Sequence, residues 1–459
     1  MQPLVLRSAI IAALGGLLFG FDTAVISGTT SDLERVFDLN GFQLGFTVAT
    51  ALIGTVIGAA YAGLGKPADR YGRKPVLFVI GILYVISALG SALATDWIVF
   101  MIFRLLGGLG VGAATAVAPI YNAEVAPPKH RGRLVGLFQF NIVIGILVAY
   151  LSNFAILGLF PDDTAWRWMF GVEAVPAVVF FLLLFLVPES PRWLMTVGRN
   201  DEARDIIGRL SADKEEARFQ REEIEEALRD EDEGPNVKFF TAGHRKVIML
   251  AFAIAAFNQL GGINAVLYYA PTIMQDAGLG ESAAFLSSAG LGIANLIATV
   301  AALLIIDKVG RKFLMKVCAV AYLLTLGPIS AMFFIYSGNF SGVTGGVIVV
   351  LLALFVGGHA FGQGAVIWVF ISEIFPTAIR ARGQSWGALT HWGFAAAISW
   401  TFPAIATNLG GGVAFGMFFF FGLLMTYWVW KIMPETKGIP LEEMERELGL
   451  QGSEAMKAE

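Results

Sequence analysis

The sequence is poor in charge, and this scarcity decides its class. Only 15% of its 459 residues are charged, whereas average usage is about 25%, and 56% are hydrophobic. The mean hydropathy is +0.69. A soluble chain of this size could not bury so much apolar surface, so we expect an integral membrane protein that resides in the lipid bilayer.

Cysteine, histidine and basic runs are scarce as well. The one cysteine, Cys318, excludes a disulfide within the chain, and the four histidines form no zinc-type cluster. A net charge of −4 without a basic block argues against a nucleic-acid partner. The sequence has no Gly-rich phosphate loop, no nucleophile elbow and no cleavable signal peptide. We therefore expect no enzymatic activity, no cofactor and no metal.

Long apolar windows, in contrast, are abundant. Twelve windows of about 20 residues, the length that crosses a bilayer, fall into two sets of six. They lie near 8–29, 46–65, 75–95, 97–121, 134–158 and 166–187, and near 247–270, 283–306, 313–336, 345–372, 385–408 and 411–433. The pattern predicts an all-α membrane protein with twelve transmembrane helices in two six-helix bundles. The charged stretch between the sets predicts short intracellular helices. Gly261 and Gly262 interrupt the seventh window and predict a bend in that helix.

This division predicts four parts and an orientation. They are an N-terminal six-helix bundle (1–188), an intracellular helical segment (189–245), a C-terminal six-helix bundle (246–437) and a cytoplasmic tail (438–459). The connections after even-numbered spans hold Lys66, Arg70, Arg73, Lys74, Lys129, Arg131, Arg133, Arg192, Lys308, Arg311, Lys312, Arg380 and Arg382, whereas Arg35 and Arg167 follow odd-numbered spans. The positive-inside rule predicts a multi-pass protein of the plasma (inner) membrane with both termini in the cytoplasm.

The two halves of the chain repeat each other. "GKPADRYGRK" (65–74) follows the second span and "IIDKVGRK" (305–312) the eighth, while "PESPR" (188–192) and "PETKG" (434–438) close the two halves. Glu124 and Glu373 stand 249 residues apart, as do Arg131 and Arg380. Several matches at nearly one offset indicate a duplicated six-helix unit. Such a repeat is typical of transporters that bind substrate near the membrane midplane.

Acidic and basic residues alternate at the predicted inner ends of these helices. We expect an intracellular gate, whose ion pairs hold the halves together while the transport site opens outward. The alternative is ordinary solvated loop charge, worth about 0–1 kcal/mol per pair. The predicted gate residues are Asp69, Arg73, Glu124, Arg131, Glu189, Asp307, Arg311, Glu373, Arg380 and Glu435.

These motifs, together with "QLGGINAVLYY" (259–269), resemble the sugar porter family of the major facilitator superfamily. That family includes bacterial xylose–proton and glucose–proton symporters and animal glucose facilitators. The resemblance spans about residues 8–440. It implies alternating access for a monosaccharide, and we expect a hexose such as glucose, or else xylose. We also expect a monomer.

Two opposite charges lie inside predicted spans. Asp22 and Arg104 each stand eight residues from the outer end of a span, about 12 Å deep. Each alone would cost about 2.5–3.5 kcal/mol at a helix centre, so we predict that they pair. The pair could be static. The resemblance implies instead that Asp22 couples transport to protons, since facilitators of the family are neutral there. Glu173 is a further candidate for the proton relay, or it could simply pair near the inner helix ends.

A sugar needs amides, which both donate and accept hydrogen bonds, and flat aromatic faces. The candidates are Phe19, Gln139, Asn258, Gln259, Asn264, Tyr268, Asn295, Trp368, His391 and Trp392. Taken singly, such amides more often join helices, and such tryptophans belong to the core. The resemblance implies sugar contacts for Gln139, Gln259, Asn264 and Trp368. Asn258, His391 and Ala360 depart from the family pattern and leave the exact sugar open.

Two rival functions remain open at this point. One is a sugar uniporter of the same fold, in which Asp22 and Arg104 are merely structural. The other is a non-transporting sugar receptor, against which stands the short stretch after "PETKG", too short for an output domain.

Overall fold

The structure, a computed structural model, describes residues 2–127, 130–161, 163–233, 238–336, 339–376 and 379–439, together with 444, 446 and 448. Helices, and no strands, make up the regular structure of this described part. Lys129 and most of the predicted tail (438–459) lie outside it.

The helices follow the apolar windows closely. The first half contains α1 (Pro3–Val25), α2 (Thr30–Val36), α3 (Gly41–Leu64), α4 (Pro67–Tyr71), α5 (Arg73–Leu93), α6 (Trp97–Val125), α7 (Arg131–Leu159), α8 (Ala165–Val172) and α9 (Ala174–Leu183). The central segment contains α10 (Pro191–Thr196), α11 (Asn200–Leu210) and α12 (Lys214–Glu233). The second half contains α13 (Arg245–Leu260), α14 (Ile263–Tyr268), α15 (Ala270–Asp276), α16 (Glu281–Val309), α17 (Arg311–Tyr336), α18 (Gly342–His359), α19 (Ala365–Ile374), α20 (Arg380–Leu409) and α21 (Gly411–Lys431).

Eleven spans among the described residues are long and apolar enough to cross a membrane. The remaining predicted span is α20, which has 30 residues but is less apolar because it carries polar groups such as Thr390 and His391. The spanning helices also turn large apolar side chains outward. Leu93, Ile297 and Leu304 are 74%, 64% and 71% exposed. Apolar surface of this kind suits lipid and not water, so the protein is a multi-pass membrane protein.

The described chain forms two compact units. The first comprises Met1–Thr29 and Thr50–Pro235, and the second Thr30–Ala49 and Asn236–Glu459. Within the first unit, α11 is amphipathic and buries Ala203, Ile206, Ile207 and Leu210 on one face. The four-part division made from the sequence stays a prediction.

The seventh span is interrupted by two glycines, as the sequence predicts. α13 ends at Leu260 and α14 begins at Ile263. Between them Gly262 has a φ of +86°, in the left-handed region that favours glycine. A Cβ at Gly262 would also collide with the ring of Phe418. The break therefore depends on glycine for both its backbone angle and its space.

Replacing Gly262 with alanine tests this requirement. Left-handed backbone costs a non-glycine residue about 1–2 kcal/mol, and the collision with Phe418 adds to that cost. We expect Gly262→Ala to lower the apparent melting temperature of the purified protein in detergent. Gly290→Ala is the matched control, because Gly290 lies in α16 with no atom near its missing Cβ. Equal melting temperatures for Gly262→Ala and the wild type would contradict the expectation.

Candidate functional site

The structure brings Asp22 and Arg104 together inside the first unit. Asp22 lies near the end of α1 and Arg104 in the first half of α6, and each is 2% exposed. Arg104 Nη1 donates to Asp22 Oδ1 at 2.5 Å, and Nη2 donates to the backbone oxygen of Asp22 at 3.2 Å. The guanidinium also lies 5.2 Å from the ring centre of Phe170. The predicted pairing is confirmed, and the ring of Phe170 packs against the buried guanidinium.

Glu173 is a second buried acid beside this pair. It lies at the junction of α8 and α9 and is 1% exposed. Neither of its carboxylate oxygens has a hydrogen-bond partner among the described residues. It is close enough to Asp22 and Arg104 to interact with both electrostatically. A second buried acid therefore lies near the Asp22–Arg104 pair.

The second unit gathers neutral polar side chains. Asn258 and Gln259 end α13 and are 2% and 1% exposed. Gln259 Nε2 donates to Asn258 Oδ1 at 2.9 Å, and it lies 3.3 Å from Nε2 of His391 on α20. Gln259 Oε1 is buried and has no partner in the described part of the chain. This leaves an acceptor that a ligand hydroxyl could satisfy.

Aromatic rings lie against the same cluster. The ring centres of Trp368 and His391 are 5.3 Å apart, and those of His391 and Trp392 are 4.7 Å apart in an edge-on arrangement. Tyr268 ends α14 and is almost fully buried. Amides with adjacent aromatic faces provide the two kinds of surface that a sugar site needs, namely hydrogen-bonding groups and flat apolar faces.

The remaining candidates lie on separate elements. Asn264 on α14 and Asn295 on α16 are each 9% exposed. In the first unit, Phe19 is buried in α1 and Gln139 is half-buried in α7. Within the described second unit, the side-chain hydrogen bonds of Gln259 go to Asn258 and His391, and not to Asn264 or Asn295.

Four predicted gate residues of the first unit, Asp69, Arg73, Glu124 and Glu189, form one charged cluster. Arg73 makes two hydrogen bonds of 2.8 Å to the carboxylate of Glu124 and a 3.2 Å ion pair with Asp69. Glu189 accepts the backbone N–H groups of Arg73 and Lys74, both at 3.1 Å, and thereby caps the first turn of α5. Burial raises the pKa of the Glu189 carboxyl, while these N–H groups favour its charged form.

The second unit repeats this arrangement. Arg311 bonds both oxygens of Glu373 at 3.0 and 2.7 Å and pairs with Asp307 at 3.0 Å. Glu435 accepts the N–H groups of Arg311 and Lys312 at 2.9 and 3.0 Å. The repeated sequence motifs thus build the same helix-end cluster twice.

These pairs refine what the sequence predicts for the gate. Each arginine and its carboxylates belong to the same unit, so the pairs brace helix ends within a unit. Arg131 binds Glu223 of α12 at 3.0 Å, and Arg380 donates to the backbone oxygen of Phe375. A gate that joins the halves stays a prediction.

Two residues that bind predicted site residues were not predicted from the sequence. Glu223 stands in a run of similar acids on α12, and nothing in the run distinguishes it. Gln363 is fully buried and bonds Asn258, yet it is a single amide in the apolar stretch "HAFGQGAVIW". An amide in such a stretch was the only available signal.

Comparison with known proteins gives concordant matches. A family model described as "Sugar (and other) transporter" matches residues 8–448. The chain is 37% identical to an arabinose–proton symporter of Bacillus subtilis over 95% of its length and 93% of that protein, and 35% identical to a D-xylose–proton symporter of Escherichia coli over 95% and 94%. A solved structure of the xylose transporter of E. coli, in a partially occluded inward-open conformation, matches with a TM-score of 0.83 at 34% identity, covering 95% of this chain and 99% of that one.

The buried pair in the first unit yields a prediction for stability. Arg104→Met leaves the Asp22 carboxylate buried without its base, which costs about 3–5 kcal/mol. Adding Asp22→Asn removes the stranded charge and should recover much of the loss. We expect apparent melting temperatures in the order wild type, double variant, Arg104→Met. A double variant no more stable than Arg104→Met would show that the two side chains do not depend on each other.

Proposed function

The chain belongs to the family of sugar (and other) transporters, and on this premise we propose that it is a proton-coupled monosaccharide symporter that works by alternating access. It has the twelve-helix fold of the major facilitator superfamily, and it is a transporter and not an enzyme. The substrate we propose is a hexose such as glucose, or else xylose. Relatives described as arabinose, xylose and glucose transporters support this choice.

The observation that carries the coupling is the buried site with two acids and one base. When a proton neutralises Asp22, Arg104 loses the partner that compensates its charge. The carboxyl group of Glu173 is then the nearby acid that can compensate it, because both of its oxygens lack other partners. Glu173 pairs with Arg104 by releasing its own proton, so one proton enters the site at Asp22 and one leaves it at Glu173. Such an exchange of partners between α1, α6 and the α8–α9 junction gives protonation a structural consequence. A pair without a spare acid would offer no second arrangement.

The proposed sugar site rests on the neutral cluster of the second unit. The free Oε1 of Gln259 can accept a sugar hydroxyl, and the ring of Trp368 can cover an apolar sugar face. Asn258, Asn264, Tyr268, Asn295, His391 and Trp392 are proposed as further contacts from this unit, and Phe19 and Gln139 from the first. Neutral amides bind hydroxyls without placing net charge in the membrane.

The location and the energy source follow from the same proposal. We place the protein in the plasma (inner) membrane with both termini in the cytoplasm, on the distribution of basic residues. One proton moving inward down a potential of about 100 mV releases about 2.3 kcal/mol. That energy supports roughly fifty-fold accumulation of the sugar.

The coupling is tested with Asp22→Asn. This side chain keeps its shape but cannot release a proton, so uphill accumulation of labelled sugar in proteoliposomes should fall to the equilibrium level. Sugar counterflow, which needs no proton gradient, should persist. Both are measured on the same vesicles.

The matched control is Asp201→Asn, which removes the same charge from an aspartate whose side chain is 98% exposed on α11. We expect it to accumulate sugar as the wild type does. If Asp22→Asn still concentrates sugar against a gradient, Asp22 is not the coupling residue and the coupling proton must bind at another site.

Gln259→Ala tests the sugar site. Losing this amide deletes the free acceptor and leaves Asn258 Oδ1 without its donor, so we expect sugar affinity to fall by at least about tenfold. Calorimetric titration of the purified protein measures this directly. Unchanged affinity, with an unchanged melting temperature, would remove Gln259 from the site.

A further inference from the structure

Gln363 occupies an unusual stretch of the tenth span. α18 ends at His359 and α19 begins at Ala365, and the residues between them, Ala360–Gly364, form a π-helical turn. Such wide turns inside α-helices occur frequently at functional sites. The side chain of Gln363 is 0% exposed and reaches residues of two other helices, α13 and α21. Neither the family match nor the proposed function gives it a role.

Its two hydrogen bonds give the amide a direction. Gln363 Oε1 accepts from Asn258 Nδ2 at 3.3 Å, and Gln363 Nε2 donates to Met425 Sδ at 3.3 Å. The thioether sulfur of methionine can accept a hydrogen bond but cannot donate one. Met425 therefore favours the orientation in which the NH₂ group of Gln363 points at the sulfur and its oxygen points at Asn258.

The direction passes along the chain of amides. Asn258 turns its NH₂ group to Gln363, so its oxygen faces Gln259 Nε2 at 2.9 Å. If Asn258 were flipped, oxygen would oppose oxygen at Gln363 and nitrogen would oppose nitrogen at Gln259. Both contacts would lose their hydrogen bond in a buried place. Gln259 is then left with Oε1, an acceptor, as its unused group.

We propose that Gln363 is a positioning residue that sets sugar selectivity through Asn258 and Gln259; this inference rests on the proposed function as a sugar transporter. By fixing which end of each amide is the donor, it makes the site present an acceptor at Gln259. A sugar with a hydroxyl hydrogen at that point is favoured. An epimer that turns this hydroxyl away leaves the buried acceptor unpaired and is disfavoured.

The conformational freedom of the Asn258 side chain supports this proposal. The terminal torsion of an asparagine side chain is broad and roughly two-fold, so an unbraced Asn258 could adopt either amide orientation. A brace is therefore needed for one orientation to dominate. Gln363 supplies this brace by accepting from Nδ2 of Asn258, while Oδ1 of Asn258 accepts from Gln259.

The test uses two variants of Gln363 and a panel of monosaccharides that differ at single hydroxyl groups. Gln363→Met has a similar length but removes the acceptor, whereas Gln363→Glu, neutral when buried, keeps an oxygen for Asn258. Dissociation constants for each sugar are measured with purified protein. We expect Gln363→Met to change the affinity ratio of at least one epimer pair by about tenfold, and Gln363→Glu to retain the wild-type ratio.

A double-variant cycle separates positioning from general damage. In the Asn258→Ala background, Gln363→Met should leave the epimer ratios unchanged, because the residue it acts through is gone. Asn153→Leu is the matched control: it removes a buried amide that bonds the backbone of Val25 in the first unit, and it should leave the ratios at their wild-type values. If Gln363→Met does not fold, Met425→Leu serves, since it frees Gln363 to flip and should shift the same ratio by a smaller factor.

Two results would overturn the inference while leaving the proposed function intact. One is that Gln363→Met weakens all epimers by the same factor. The other is that it changes their ratios equally in the presence and absence of Asn258. Failure of the wild-type protein to bind any monosaccharide would overturn the proposed function as well, so the two failures are distinguishable.

Discussion

A guanidinium and a carboxylate share the apolar interior of the first unit, and this constraint organises the rest of the structure. Neither Asp22 nor Arg104 could remain ionised there alone, because transfer of a single charge into such surroundings is too costly. Together they are satisfied by a 2.5 Å bond. The pair joins α1 to α6, and the proposed coupling requires this arrangement to change when a proton neutralises the acid. In the proposed mechanism, the second acid, Glu173, is the alternative partner of Arg104.

The repeated halves share a frame but carry different chemistry. Each half has an arginine that binds a glutamate of a neighbouring helix, and a second glutamate that caps the start of the helix to which that arginine belongs. Away from these helix-end clusters, the first unit buries the ionisable side chains of Asp22, Arg104 and Glu173. The second unit instead buries a group of amides, an imidazole and indole rings. A charged site responds to protons, and a neutral site can bind an uncharged hydroxylated ligand without an electrostatic penalty. Under the proposed function, the first unit would carry the proton site and the second unit the sugar site.

The sequence predicted what depends on periodicity, depth and backbone chemistry. Apolar windows located the spans because the bilayer imposes one length on all of them. Equal depth predicted the Asp22–Arg104 pair, and two adjacent glycines predicted the break before Ile263. The bond of Arg131 to Glu223 and the brace of Gln363 on Asn258 could not be predicted, because they depend on the rotation of helices about their axes and on a local π-helical turn. Hydropathy carries no information on either.

The central claim is that sugar and proton move together, and it can be measured without altering the protein. Purified wild-type protein is placed in liposomes, sugar is added outside without a pH gradient, and an external pH indicator records the medium. The account predicts that the medium becomes more alkaline as sugar enters, with the proton flux proportional to the sugar flux. Sugar entry at a normal rate with no change of external pH would contradict it.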